Sequence, residues 1–327
     1  MIAEQDRTGP DPEARYVVIG GATRCGTTSL FLYLADHPGV CRSKVKETRF
    51  FLEKNHPLSR QASYEQGLSK YMQYFDSCNA LPVRLEATPD YLYSQVAAGE
   101  IRRALSNVLL IFLLREPIDR LVSWFHYGRQ RGLLTPIVSF EQYVQASLED
   151  KFEFDASDQL KSAMRQGRYS SYLGHYLSVF AAGDLAVYNY DQFADEPEVV
   201  VSDICRRVGL SSEIYDEYRF EIHNPSRPLG WLVSGGGSVW LLTRLRDLVR
   251  NRPRIRGALR HWKRNLDNLK ETEGVVKPPH ARLSPETFHR LEDYYRDEPQ
   301  QLAALLQLNV WRWKTSSRIE IRNESDH

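Results

Sequence analysis

The chain has 327 residues, with 43 Lys and Arg against 42 Asp and Glu, so its formal net charge at pH 7 is +1. That balance excludes a strong overall field of the kind that attracts nucleic acid, so no nucleic-acid partner is expected and any charged binding surface must be local. The length suffices for one large α/β domain, alone or with a subdomain.

The four cysteines and the first residues bear on the cellular compartment. Cys25, Cys41, Cys78 and Cys205 show no metal-ligand spacing such as C-x-x-C, and their scatter favours reduced thiols over a disulfide framework. Residues 1–14 are polar and lack the apolar core of a signal peptide, which predicts a disordered lead-in. No window approaches about 18 consecutive apolar residues, so no transmembrane segment is expected. We therefore predict a cytoplasmic protein.

An apolar strand at residues 16–19 leads into a glycine-rich turn and a helix. The spacing from Gly21 to Gly26 is that of a Walker A loop, G-x-x-x-x-G-K-[ST], but Thr27 stands where that motif has its lysine. The cation of this loop is Arg24 instead. Backbone N–H groups at such a turn and helix start suit a phosphate or sulfate. The loop therefore predicts an anion site that differs from one for the β- and γ-phosphates of ATP.

Strands and helices alternate after this turn. The run over 108–114 is apolar throughout, which indicates a strand buried on both faces of a parallel sheet. Further strands are predicted over 83–86 and 185–190, and 41–51 is predicted to be a connector. Helices are predicted over 28–35, 60–76, 118–131, 197–208 and 284–313, the last with Ser284 as N-cap. This alternation predicts an α/β class, a three-layer P-loop-like fold whose central, mostly parallel sheet is flanked by helices.

Residues 225–275 interrupt the alternation. Residues 239–264 hold nine Lys or Arg against one acid, and apolar residues recur at helical spacing over 255–269. Three interpretations stay open: a solvated helix face, a cover for an acidic or elongated acceptor, and a peripheral contact with an anionic membrane. We predict a single domain over 15–315 with this basic helical insertion, followed by a polar tail over 316–327.

A second anion site is indicated next to the buried strand. Arg115 follows the strand 108–114, and Ser123 lies eight residues on in the next helix. An arginine fork and a hydroxyl can together grip a second phosphate. The alternative interpretation is an arginine that caps the helix and a serine on the surface.

Together these segments resemble the sulfotransferase family that uses 3′-phosphoadenosine-5′-phosphosulfate (PAPS). Its 5′-phosphosulfate loop, K/R-x-G-T-T, is matched by residues 24–28, and its 3′-phosphate motif, L-R-[DEN]-P-x-x-R-x-x-S, by residues 114–123. One branch of the family contains the heparan sulfate sulfotransferases and bacterial relatives. Residues 46–51 are similar to its K-E-x-x-F-F segment, and residues 86–91 are similar to its E-[KA]-[ST]-P-x-Y loop. The tail of that branch is similar to residues 167–210.

The resemblance implies transfer of a sulfuryl group from PAPS to a hydroxyl or amine, with release of 3′-phosphoadenosine-5′-phosphate (PAP). It makes Glu47 the catalytic base, and Arg24 a stabiliser of the departing PAP. No metal is required, because side chains and the helix end meet the phosphosulfate charge. The residues that it implies for donor binding are Arg24, Cys25, Gly26, Thr27, Thr28, Ser29, Arg115, Ser123 and Lys277.

The chain departs from the family pattern at three positions. Arg24 replaces the commoner lysine, and arginine is a poor proton donor because it stays charged. Ala87 replaces a second lysine of the heparan sulfate enzymes, which weighs against a glycosaminoglycan acceptor. Phe125 replaces a common tyrosine. The acceptor class stays open between a small molecule, a glycan and a lipid-like molecule, and so does the oligomeric state.

Two other functions compete with sulfuryl transfer. A P-loop kinase or ATPase is disfavoured by the missing Walker lysine and by the strand 108–114, which ends in Arg115 rather than in an acid. A non-catalytic module that binds anions or membranes would keep its function in Glu47→Ala. Some relatives use a histidine base, but neither His56 nor His126 lies in a motif, so both are expected to be structural or exposed.

Overall fold

A parallel sheet forms the centre of the computed structural model, which describes residues 14–59, 63–78, 81–221, 281–314 and 319–321. Its five strands have the order β2-β3-β1-β4-β5, and every neighbouring pair is parallel. The strands are β1 (Arg15–Gly21), β2 (Val40–Arg42), β3 (Val83–Ala87), β4 (Val108–Leu114) and β5 (Leu185–Asn189). With helices flanking this sheet, the predicted α/β fold is confirmed.

Burial explains which strands the sequence could predict. All seven residues of β4 are buried, as its unbroken apolar run predicts, and β1 pairs with β3 on one side and β4 on the other. The predicted strands at 83–86 and 185–190 are confirmed as β3 and β5. The prediction of a connector over 41–51 missed the end of β2, because a strand of only three residues shows no alternating pattern.

Helices follow most of the strands. They are α1 (Thr27–Ala35), α2 (Leu68–Met72), α3 (Ala97–Ala104), α4 (Pro117–Arg131), α5 (Phe140–Leu148), α6 (Asp158–Ser162), α7 (Ser170–Val179), α8 (Tyr190–Asp195), α9 (Pro197–Arg207), α10 (Pro285–Tyr295) and α11 (Glu298–Leu305). Prolines open α4, α9 and α10, where the missing N–H costs nothing. The Ser284 hydroxyl accepts from the Thr287 N–H at 3.2 Å, so the predicted N-cap is confirmed.

Two predicted helices are shorter than expected. Among the described residues 63–76, only α2 is α-helical, with 3₁₀ turns on either side of it. Within 284–313, α10 and α11 are separate and residues 306–313 are not helical. The predicted polar tail contains β7 (Ile319–Ile321), which pairs in parallel with β6 (Ala281–Leu283).

The chain divides into two compact units. Unit 1 comprises residues 1–120, 165–225 and 292–316, and unit 2 comprises residues 121–164, 226–291 and 317–327. The five-stranded sheet belongs to unit 1, and β6 and β7 belong to unit 2. The single domain over 15–315 stays a prediction. The basic insertion over 225–275 lies outside the described residues, as does the predicted lead-in except for Ala14.

Two of the four cysteines form a disulfide, so the expectation of four reduced thiols is wrong. β2 carries Cys41, and the turn after α2 brings Cys78 to a Cα–Cα distance of 5.5 Å, which suits a disulfide. The separation of 37 residues gave no local spacing from which to predict the pair. Cys25 and Cys205 are free and buried.

We expect Cys78→Ser to lower the free energy of unfolding by about 2–4 kcal/mol, because the cross-link restricts the unfolded chain. Urea denaturation measures this difference. Dithiothreitol should bring the wild type to the value of the variant and leave the variant unchanged. A wild type that is insensitive to dithiothreitol, with Cys41 and Cys78 both open to alkylation, would contradict the disulfide.

Candidate active site

The loop between β1 and α1 is shaped by two residues with left-handed backbone. Arg24 has φ 66° and Gly26 has φ 82°, and Gly26 is the N-cap of α1 without any side-chain capping bond. A Cβ at Gly21 would lie 2.8 Å from Leu92 Cβ, so the close approach of the chain there requires glycine. This geometry leaves the first N–H groups of α1 for an anion.

The residues of this loop that the sequence predicts to bind the sulfuryl donor differ in exposure. Cys25 is fully buried, and its thiol lies 3.8 Å from the Tyr169 hydroxyl. Thr27 and Ser29 are also buried, whereas Arg24 and Thr28 are half-buried. Cys25 can therefore contribute its backbone to an anion site but not an exposed thiol.

The side chain of Lys46, which precedes Glu47, reaches the first residue of α1. Its Nζ donates to Thr27 Oγ1 at 3.4 Å and is 3.5 Å from Glu47 Oε1. Burial lowers the pKa of Lys46, and the Glu47 carboxylate opposes that effect. Lys46 thereby joins the predicted base to the predicted anion loop.

Glu47 lies between two cations. Arg49 Nη2 is 2.7 Å from Glu47 Oε2, on the other side of the carboxylate from Lys46. Burial raises the pKa of Glu47, but Lys46 and Arg49 together outweigh burial, so the pKa is lowered overall. The carboxylate is ionised at neutral pH, and 30% of its side chain is exposed. The carboxylate is therefore partly open to solvent.

Asp90 is a second carboxylate near Glu47 that sequence reasoning did not assign to the site. Burial, and then the charge of Glu47, raise the pKa of Asp90 to about 6, while Arg49 and Lys46 act in the opposite direction. Perturbed carboxylates of this kind collect at functional sites. The sequence feature that could have pointed to Asp90 was its position in the loop just after β3.

Arg115 and the anion loop contact the same aromatic ring. The Arg115 guanidinium lies 4.6 Å from the centroid of the Tyr190 ring, and a Cβ added at Gly26 would lie 3.0 Å from that ring. Arg115 also pairs with Asp119 at 3.6 Å. The carboxyl ends of β1, β4 and β5 thus bring the loop, Arg115 and Tyr190 together. The only sequence signal for Tyr190 was its position at the end of the last predicted strand, 185–190.

Arg120 is a fully buried cation beneath the loop that the sequence did not single out. It donates to the Thr23 carbonyl and hydroxyl, both at 2.9 Å, and to the Tyr93 hydroxyl at 3.0 Å. A further bond goes to Gln166 Oε1 at 3.1 Å. These bonds hold Thr23, the neighbour of Arg24, in place.

Ser123 and Lys277 stay predictions for the site. Ser123 is buried on α4, in the part of that helix that belongs to unit 2. Lys277 lies outside the described residues. His56 Nδ1 accepts from the Leu58 N–H at 3.2 Å, which fits a structural histidine, and His126 is buried in unit 2.

Metal sites and membrane spans were sought in the described part of the chain. There, no cluster of three or more His, Cys, Asp or Glu side chains is arranged to hold a metal ion. None of the helices in the same ranges combines the length and the apolar character that crossing a bilayer needs.

Comparison with known proteins gives consistent matches. A family model described as a sulfotransferase domain matches residues 14–223. The human bifunctional heparan sulfate N-deacetylase/N-sulfotransferase 1 is 23% identical over 304 residues, which cover 89% of this chain and 29% of that protein. The membrane-associated sulfotransferase kil1 of Dictyostelium discoideum is 31% identical over 118 residues, or 35% of this chain and 23% of that protein.

A solved structure agrees in fold. A sulfotransferase from Alicyclobacillus acidocaldarius matches with a TM-score of 0.58 at 20% identity, covering 90% of this chain and 96% of that one. The chain spans only 25% and 29% of the mouse and human bifunctional enzymes that it matches. The family model, however, spans more than half of the chain, and on that match the chain belongs to the sulfotransferase family.

Proposed function

We propose that the chain transfers a sulfuryl group from PAPS to a hydroxyl or amine of an acceptor and releases PAP. One observation carries the proposal: Lys46 Nζ lies 3.4 Å from the Thr27 hydroxyl and 3.5 Å from Glu47. A candidate base and the start of α1 are thereby joined through one cation. Loops that bind anions occur in proteins of many functions. A carboxylate next to such a loop suits group transfer, because it can take a proton from the acceptor.

The donor is held at both ends of the site. The 5′-phosphosulfate binds the N–H groups at the start of α1 with Arg24, and residues 25–29 complete this loop. The 3′-phosphate binds Arg115, whose Nε is buried without a hydrogen-bond partner among the described residues. Ser123 and Lys277 stay predictions for the same donor. The ring of Tyr190 lies against both Gly26 and Arg115.

Glu47 accepts the acceptor proton as the acceptor oxygen or nitrogen attacks sulfur. A new bond to sulfur forms while the bond from sulfur to the bridging oxygen breaks, and its electron pair leaves on the 5′-phosphate of PAP. Arg24, Lys46 and the N–H groups of α1 stabilise that charge. Because Arg24 stays charged, it stabilises PAP without protonating it.

The acceptor is proposed to be a small molecule or a glycan. Ala87 lies at the end of β3, where the resemblance implies a lysine in the heparan sulfate enzymes, and the neighbouring Asp90 is acidic. An acceptor with many negative charges would gain little binding energy at this end of β3, because no lysine stands at position 87. The proposed cytoplasmic location has one observation against it, because a disulfide such as that of Cys41 and Cys78 is more typical of oxidising compartments.

PAP should bind the purified protein without magnesium and on the order of 100-fold more tightly than ADP, because only PAP carries a 3′-phosphate for Arg115. Isothermal titration calorimetry with each nucleotide, with and without magnesium, measures this. Arg115→Ala should weaken PAP binding by roughly 10- to 100-fold and leave ADP binding nearly unchanged. Arg103→Ala, with a side chain 73% exposed, is the matched control.

Two results would contradict the proposed donor. Preference for ADP or ATP in the presence of magnesium would favour a kinase. Binding of neither nucleotide would refute the anion loop itself and leave a non-catalytic module as the better hypothesis.

Glu47→Gln should lower kcat by about 10²- to 10⁴-fold, because it removes the group that takes the acceptor proton. The Kd of PAP should stay within about twofold of the wild type, since the base acts in the transition state. Turnover of labelled PAPS against a panel of acceptors measures kcat, and Glu65→Gln replaces a more exposed carboxylate as the control. Full turnover in Glu47→Gln would contradict the assignment of Glu47 as the base.

A further inference from the structure

A fully buried carboxylate lies behind the segment that carries Glu47. Glu86, in β3, accepts hydrogen bonds from the hydroxyls of Thr48 at 2.6 Å, Tyr71 at 3.0 Å, Thr88 at 3.1 Å and Tyr91 at 3.3 Å. Its exposure is 0%. All four of these donors are neutral, so Glu86 is held by hydroxyls rather than by a cation.

Burying this carboxylate is costly. Burial raises the pKa of Glu86 to about 7, and the hydroxyls only partly offset that effect. An apolar side chain of similar size would avoid the cost, since buried charges contribute little to net stability. The position of Glu86 is therefore better explained by the geometry that it imposes than by stability.

Two of the hydroxyls that donate to Glu86, those of Thr48 and Thr88, also bind the backbone next to Glu47. Thr48 Oγ1 accepts from the Phe50 N–H at 3.3 Å, and Thr88 Oγ1 accepts from the Arg49 N–H at 3.1 Å. Arg49 has φ 56°, a left-handed conformation that a non-glycine residue keeps only when its surroundings enforce it. Glu86 thus anchors both hydroxyls that fix this bend.

The bend in turn orients Glu47. Arg49 makes the 2.7 Å ion pair with the Glu47 carboxylate, and its backbone is the part held by Thr88. Phe50 and Phe51 pack on Tyr71, another donor to Glu86, with ring centroids 5.2 and 5.0 Å apart. The contacts form one connected path from Glu86 to Glu47.

We propose that Glu86 is a positioning residue that acts through the Thr48 and Thr88 hydroxyls to fix the bend at residues 48–50 and so to aim Glu47. This rests on the proposed function, in which Glu47 is the base. The donor-binding loop at the start of α1 is reached by another path, through Lys46. Loss of the Glu86 bonds should therefore lower turnover without weakening PAP binding.

Thr48→Val and Thr48→Ser form the decisive pair, because valine keeps the shape of threonine and serine keeps its hydroxyl. Thr48→Val should lower kcat at least about tenfold, as expected for a misplaced catalytic group, with the Kd of PAP within about twofold. Thr48→Ser should restore most of kcat. Equal turnover in the two variants, or a parallel loss of PAP affinity, would overturn the proposal.

Glu86→Gln tests the carboxylate directly, with Glu298→Gln as its matched control. Glu298 is 1% exposed and accepts from the N–H and hydroxyl of Ser170 at 2.7 and 2.8 Å, with no described bond to residues 46–50. Both variants should lose thermal stability, but only Glu86→Gln should lose kcat at constant PAP affinity. Equal kcat in both variants would count against Glu86.

Amide hydrogen exchange separates this inference from the proposed function. The Arg49 and Phe50 amides, bonded to threonine hydroxyls, should exchange at least about tenfold faster in Thr48→Val and Glu86→Gln than in wild type or Glu298→Gln. A wild type that transfers no sulfuryl group would refute the proposed function, and the exchange rates would still decide the inference. Unchanged exchange of the Arg49 and Phe50 amides in both variants would refute the positioning role of Glu86.

Discussion

The site depends on the parallel pairing of β1 with β3 and β4. Val18 pairs with Glu86 and Ile19 with Ile111, so the three strands end at one edge of the sheet. Loops that leave parallel strands at a common edge meet there, whatever their separation along the chain. The anion loop, Arg115 and Asp90 come from three such loops. Because these strands are buried on both faces, a register shift would carry polar residues such as Arg115 from the strand ends into the apolar core, and the core therefore also fixes the positions of these polar groups.

Opposite charges lie close together at this edge. Lys46 lies between the Thr27 hydroxyl at the start of α1 and the Glu47 carboxylate, so it contributes to both the anion side and the base. Lys46 and Arg49 lower the pKa of Glu47, so its carboxylate is less basic than that of an ordinary glutamate. In the proposed function, Lys46 therefore lies between the donor loop and the base.

Local motifs made part of this site predictable. The anion loop, Arg115 and Glu47 are each marked by neighbours within a few residues, and the strands before the first two carry strong apolar patterns. The contacts between segments had no such marker. The ring of Tyr190 meets Gly26 and Arg115 because β5 pairs with β4, and the disulfide joins Cys41 of β2 to Cys78, a residue 37 positions further along the chain. Sequence patterns predicted the elements of the site but not the contacts among them.

Two buried charges support the two halves of the site. Arg120 lies beneath the anion loop and donates to neutral oxygens of Thr23 and Tyr93, while Glu86 lies behind the Glu47 segment and accepts from hydroxyls such as that of Thr48. A buried charge bound to neutral groups makes several directed bonds at once, which an apolar side chain cannot do. It also leaves unpaired polar atoms in the interior if those bonds are lost. This penalty opposes alternative conformations of the loop and of the Glu47 segment, because any such conformation would break bonds to Arg120 or Glu86.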